Sequence, residues 1–202
     1  MIAVIDYGVG NLFSLRSSLG FIGAESCVSS DPETLRAADK LILPGVGAFG
    51  VAADKLRRSG LDRVVREEAG RGKPVLGICL GMQLLFEKSY EYGENDGLGL
   101  LSGRVVGMEG TLPPELKIPH IGWNALHITR EVPILRYVNQ NDCVYFVHSF
   151  YAVDCEESVI ATAEYGRELT AAVQKDNVMG CQFHPEKSGS VGLGILRAFC
   201  EG

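Results

Sequence analysis

Pro74-Val75-Leu76-Gly77-Ile78-Cys79-Leu80-Gly81-Met82-Gln83 decides how this chain is to be read. Pro74 to Ile78 is a short apolar run, as expected of a strand buried on both faces. It leads straight into Cys79, and Gly81 to Glu87 carries a helical pattern. Gly77 and Gly81 leave room for a sharp strand-to-helix turn, the arrangement of a nucleophile elbow. Such a turn pushes the sulfur out at the carboxyl end of the strand. The helix N-terminus behind it favours the thiolate, the reactive form of cysteine. The backbone N–H of Leu80 points to where an oxyanion would form. The five residues Gly77 to Gly81 also fit a buried cysteine in a tight turn, so both readings stay open on this pattern alone.

Upstream, strands and helices alternate. Ile2 to Asp6, Ala24 to Val28 and Lys40 to Leu43 read as strands. A helical pattern covers Asn11 to Leu19, Asp31-Pro32 opens another helix as N-cap and first helical residue, and one long amphipathic stretch covers Ala52 to Ala69. Alternation of this kind implies an α/β fold: three layers around a mostly parallel sheet. Downstream, Leu101 to Met108, Asn124 to Thr129, Cys143 to Val153, Val159 to Glu164 and Thr170 to Gln174 are strand-like with little helix between them. They are expected to extend the same sheet in antiparallel or mixed fashion. Val178 to Phe183 is the last strand, Val191 to Cys200 the last helix, and Glu109 to Pro119 a proline-rich loop. No internal repeat appears, and residues 1–202 are expected to form a single domain.

Composition narrows the function classes. Of 202 residues, 46% are hydrophobic and 22% charged, which suits a globular protein. A net charge of −6 without a basic run argues against nucleic-acid binding. The N-terminus Met1 to Asp6 lacks a basic leader, and the longest near-apolar stretch, Pro74 to Phe86, is short and glycine-broken, so neither a signal peptide nor a membrane span is expected. A cytoplasmic location follows as the default. The six cysteines form no C-x-x-C pair. Cys181 and His184 make a lone C-x-x-H, so zinc is not expected, and five of the six read as buried free thiols. No cofactor is implied.

His184-Pro185-Glu186 changes the reading of Cys79. In an extended segment residues two apart project to the same side, so His184 and Glu186 can serve one site. A cysteine nucleophile needs a base, and the base needs an acid to orient it. Cys79, His184 and Glu186 fill those roles, although a histidine beside a carboxylate is often structural. Leu43-Pro44-Gly45-Val46-Gly47 ends another strand, and its glycines let backbone N–H groups face a ligand. Val46 or Gly47 could supply a second oxyanion donor; an ordinary strand-to-helix turn is the plain alternative.

Together, Pro44 to Gly47, Gly77 to Gln83 and His184 to Glu186 resemble the class I, triad-type glutamine amidotransferases. Asp6-Tyr7-Gly8-Val9-Gly10-Asn11-Leu12, Gly122-Trp123-Asn124, Phe146-Val147-His148-Ser149-Phe150 and Gln182 to Ser188 are similar, within that class, to the glutaminase subunits of imidazole glycerol phosphate synthases. The resemblance runs from Asp6 to Ser188 and implies a flavodoxin-like fold. It implies hydrolysis of the side-chain amide of L-glutamine through a Cys79 thioester. His184 would act as acid and base, with Glu186 orienting it. Gly47, Gln83, Glu91, Ser149 and Phe150 would line the glutamine pocket. Ammonia would pass to a (β/α)8-barrel cyclase subunit, a partner in a heterodimer, in histidine biosynthesis. The chain is too short to contain such a barrel, which takes roughly 250 residues. Asn11, Trp123 and Lys187 are interface candidates by the same resemblance; Trp123, the only tryptophan, could instead sit in the core. A glutaminase for another synthase, an unrelated cysteine hydrolase and an inactive binding module are the competing readings.

Overall fold

The computed structural model describes residues 1–202. The chain runs β1 (Ile2–Ile5), α1 (Leu12–Phe21), β2 (Ser26–Ser29), α2 (Pro32–Ala37), β3 (Lys40–Gly45), α3 (Phe49–Arg58), α4 (Leu61–Gly70), β4 (Val75–Cys79) and α5 (Leu80–Leu84). It continues through β5 (Phe86–Ser89), β6 (Asn95–Asp96), β7 (Leu101–Gly107), β8 (His120–Ala125), β9 (His127–Ile128), β10 (Cys143–His148), β11 (Phe150–Val153), β12 (Val159–Glu164), β13 (Glu168–Lys175), β14 (Val178–Cys181) and α6 (Gly189–Glu201). No helix is long and apolar enough to cross a membrane.

An eight-stranded sheet in the order β2-β1-β3-β4-β14-β13-β12-β9 forms the centre. β2, β1, β3, β4 and β14 pair in parallel, and β13, β12 and β9 continue antiparallel. Side chains alternate across the sheet, so its apolar strands feed two cores at once. Ala3, Ile5, Leu41, Leu43 and Val75 pack under α2, α3 and α4. Ile2, Val4, Ile42, Leu76 and Ile78 face α1 and α6. This is the expected three-layer arrangement.

Five expectations about these elements are corrected. The second half does not only extend the central sheet: β10-β8 forms a separate two-stranded ribbon and β11-β7-β5-β6 a separate four-stranded sheet. The expected strand from Cys143 to Val153 is split between them at Ser149, and that from Asn124 to Thr129 is split into β8 and β9. The stretch Ala52 to Ala69 is two helices, because Gly60 turns the chain at φ 73, a left-handed value that L side chains adopt reluctantly. The expected helix Gly81 to Glu87 stops at Leu84, since Phe86 to Ser89 pairs with β7 and β6.

All six cysteines are free, but only Cys79, Cys155 and Cys181 are buried. Cys143 is exposed because it starts β10 on the outward phase of the strand alternation. Asp31 caps α2 as expected, accepting from the N–H of Thr34 at 2.8 Å, with Pro32 following as the first helical residue.

Candidate active site

β3, β4 and β14 are neighbours, with Gly45 opposite Cys79 and Ile78 opposite Cys181. The segments leaving their carboxyl ends therefore emerge side by side, the usual position of a site in an open α/β sheet. They carry Val46-Gly47, Cys79-Leu80 and Gln182 to Glu186.

Cys79 sits at φ 54, ψ −113, a left-handed backbone that a non-glycine residue holds only under constraint. The constraint is backbone packing between β3, β4 and α5. A Cβ on Gly45 would lie 2.8 Å from the Gly81 nitrogen, one on Gly77 2.7 Å from the Gly81 oxygen, and one on Gly81 1.8 Å from the Leu43 oxygen. The glycines around Cys79 are thus required by close approach rather than by turn geometry alone. The helix behind the sulfur is only five residues long.

His184 is extended at φ −99, ψ 99, but Pro185 to Lys187 form a 3-10 turn. The two-residue alternation expected for His184 and Glu186 is therefore replaced by a turn. Proline favours that turn at its first position and swings Glu186 back under the ring. Glu186 Oε1 meets His184 Nδ1 at 2.8 Å. This leaves Nε2 to face Cys79, whose sulfur lies close enough to favour the charged imidazole. Burial by itself would push the imidazole down; the bonds to Cys79 and Glu186 and their negative charge outweigh it, raising His184 to about 9. The turn is clamped onto β10: the His184 N–H donates to the Tyr145 carbonyl at 3.0 Å, Tyr145 donates to Ser188 Oγ at 3.0 Å, and that hydroxyl donates to the His184 carbonyl at 2.6 Å.

Cys79 and His184 open on a cleft of about 840 Å³, with Val46, Gly47, Leu80, Gln83, Glu91, Ser149, Phe150 and Lys187 also on its walls. Of these, Val46 is exposed and Gly47 adopts φ 94. Glu91 is held by the Phe49 N–H, which donates to its Oε2 at 2.5 Å. Glu186 lies behind His184 with Oε2 buried and unpartnered. Asn11 and Trp123 stand outside the cleft. Asn11 caps α1 by accepting from the Ser14 N–H, and α1 packs against the Pro185 to Lys187 turn. Trp123 is 58% exposed, not a core residue, and its ring meets Tyr145 edge-on at 6.1 Å.

A model of the glutamine amidotransferase class-I family matches residues 3–201, nearly the whole chain. The chain belongs to the class-I glutamine amidotransferase family. Among curated relatives, the imidazole glycerol phosphate synthase subunit HisH of Lactococcus lactis subsp. lactis (strain IL1403) is 48% identical, covering 99% of this chain and 98% of that one. HisH of Caldanaerobacter subterraneus subsp. tengcongensis is also 48% identical, covering 100% and 98%. Among solved structures, a glutamine amidotransferase crystal structure aligns at TM-score 0.77 over 100% of this chain and 98% of that one, with 20% identity. PurLQS from Thermotoga maritima aligns at 0.76 over 99% and 97%, with 21% identity. These two likenesses establish the fold.

Two buried polar groups of this class-I amidotransferase went unassigned in the sequence reading. His148 lines the cleft, and its Nδ1 donates to the Phe150 carbonyl at 2.8 Å. Its Nε2 lies 3.0 Å from His120 Nδ1, and His120 Nε2 lies 3.4 Å from the Asn124 amide nitrogen. With one proton on each ring, only one pattern satisfies every contact: Asn124 donates to His120, which donates to His148, which donates to Phe150. An added proton would set two N–H groups against each other. Burial points the same way, holding His148 at about 3 and His120 at about 4. Gln182, fully buried, lies against the sulfur of Cys79. The two-residue alternation assigned to His184 and Glu186 applies instead to Gln182 and His184, whose side chains both reach Cys79. His148 carried no comparable signal, because its partner His120 is 28 residues away.

Proposed function

We propose that this chain is the glutaminase subunit of an imidazole glycerol phosphate synthase, hydrolysing L-glutamine and passing ammonia to a cyclase partner in histidine biosynthesis. The observation that carries this reading is that Cys79 and His184, with Glu186 behind the imidazole, meet at a cleft in a chain that matches HisH relatives from end to end.

The chemistry follows from the geometry. Cys79 Sγ attacks the carboxamide carbon of glutamine, and the C=O electron pair moves to oxygen. That oxyanion faces the Leu80 N–H and a donor from Val46 or Gly47. His184, protonated at Nε2 and oriented by Glu186 at Nδ1, gives its proton to the leaving nitrogen as the C–N bond breaks. Ammonia departs and a thioester remains. Water then attacks with His184 as base, and glutamate leaves as the sulfur recovers its electron pair.

Both hydrogens of the Gln83 amide nitrogen are engaged inside the protein, with the Phe150 carbonyl at 3.1 Å and Gln182 Oε1 at 2.9 Å. Gln83 therefore offers the substrate an acceptor, its Oε1. Glu91 likewise retains Oε1 for a positively charged group. Two acceptors in the cleft suit the α-ammonium of a free amino acid.

A glutaminase assay on the subunit alone, and with a cyclase subunit plus its nucleotide ligand, tests the proposal. Glutamate formation is expected to be weak alone and to rise on addition of the occupied partner. A free subunit as fast as the complex would contradict partner control, and no glutaminase activity in either state would sink the assignment.

We infer that the partner binds around Trp123, Lys187 and Asn11; Ile121 adjoins Trp123 on the same exposed phase of β8. Large exposed aromatic side chains are common interface anchors. Trp123→Ala is expected to raise the dissociation constant for the cyclase about 10-fold or more, with the melting temperature unchanged because the ring is largely in solvent. An unaltered dissociation constant, measured by calorimetry, would remove Trp123 from the interface.

A further inference from the structure

The carbonyl oxygen of Phe150 can only accept hydrogen bonds, and this sets the orientation of a chain of groups leading to the nucleophile. The Gln83 atom 3.1 Å from it must be the amide nitrogen, Nε2, since an oxygen there would repel. Because Gln83 presents a donor, the Gln182 atom 2.9 Å from the same nitrogen must be the acceptor, Oε1. The remaining Gln182 group is then the amide nitrogen, which points at Cys79 Sγ from 3.7 Å. His148 closes the far end: its Nδ1–H occupies the second lone pair of the Phe150 carbonyl at 2.8 Å. Neither amide can flip without setting two donors or two acceptors against each other in a buried site.

We propose that Gln182 is a further catalytic residue of this site, donating a hydrogen bond from Nε2 to the sulfur of Cys79 as thiolate. It deepens the glutaminase proposal and concerns the same nucleophile. Sulfur would then receive two donors, His184 from one side and Gln182 from the other. The imidazole must leave the sulfur to protonate the departing nitrogen and later to activate water. Gln182 has no proton to transfer and stays in place throughout. In the second half of the reaction, the C–S bond breaks and its electron pair returns to sulfur, and the amide stabilises that negative charge as it forms.

Two substitutions separate this role from a structural bridge. Gln182→Glu keeps an acceptor for Gln83 but sets a carboxylate oxygen against the sulfur; Gln182→Met keeps the length and removes the donor. The rate of Cys79 alkylation by iodoacetamide, followed by mass spectrometry in a Cys143→Ala background, reports thiolate reactivity without glutamine or partner. Both variants are expected to slow alkylation and kcat about 10- to 100-fold, the range for losing a hydrogen bond to a charged group. KM should move by less than about threefold. Raised KM with alkylation at the parent rate would mean that Gln182 only positions Gln83, and would overturn the proposal. Alkylation at the parent rate in folded Gln182→Glu would do the same, and that variant decides should Gln182→Met fail to fold. Absence of glutaminase turnover in the parent protein would instead overturn the functional assignment, leaving the alkylation result to stand by itself.

Discussion

Cys79→Ala is expected to abolish glutamine-dependent turnover, by on the order of 10⁴-fold or more, while leaving ammonia-driven cyclisation by the partner intact. The loss would be chemical rather than structural. Cys79 is buried, and alanine keeps the Cβ at the strained φ of 54 while removing one sulfur atom. The backbone around it is held by β3 and β14 on either side, through pairings that do not involve the side chain. Circular dichroism and melting temperature should therefore stay close to those of the parent protein. Two assays on the reconstituted complex decide the outcome: glutamate release from glutamine, and cyclase product formed from ammonium salt at high pH. Loss of both in a folded complex would refute the division of labour between the subunits. Retention of glutamate release would remove Cys79 from the nucleophile's role.

Gly81→Ala should have the largest effect on folding of any single methyl addition near the site. The new Cβ would lie 1.8 Å from the Leu43 oxygen and 2.8 Å from its carbonyl carbon, both backbone atoms of β3. No rotamer change relieves contact with a main chain, so β3 and α5 must separate. That opens the packing beneath Leu80 and Met82 and moves Val46 and Gly47 away from Cys79. Overpacking of this severity costs about 4 kcal/mol or more, equivalent to roughly 8–16 °C in melting temperature for a chain of this size. Gly20 supplies the control, since a Cβ there meets nothing within 4 Å. Gly20→Ala sits inside α1 and is expected to be neutral or stabilising by about 0.5–1 kcal/mol. A Gly81→Ala protein melting within about 3 °C of the parent would show that the β3–α5 approach is not rigid.

Much of this site is legible from short stretches of chain. The buried run from Pro74 into Cys79, flanked by Gly77 and Gly81, specifies an elbow because few residue types can occupy so crowded a turn. His184 and Glu186 are two residues apart, so any compact local backbone brings them together; a 3-10 turn does so rather than an extended strand. Asp31-Pro32 marks a helix start through chemistry confined to four residues. Local signals of this kind survive because backbone sterics and capping act over only a few bonds.

What the chain alone left undecided involves partners distant in sequence. The stretch Gly81 to Glu87 has helical character, yet Phe86 to Ser89 becomes a strand once β7 lies beside it. Five of the later strands read as extensions of one sheet, and only pairing assigns β7, β8, β10 and β11 to two others. Cys143 looks like a core thiol until β10 turns that side to solvent, and Trp123 is ambiguous until β8 does the same. His120 with His148 and Gln83 with Gln182 acquire definite proton positions only when folding removes water and brings each pair to about 3 Å. By itself, then, the sequence determined the alternating α/β frame, the tight turn at Cys79 and the nearness of His184 to Glu186, all set by local sterics and strand periodicity. Tertiary structure decided which strands pair, which side chains face solvent and which way the hydrogen bonds around Cys79 run, because those depend on burial and on donors matched across the fold.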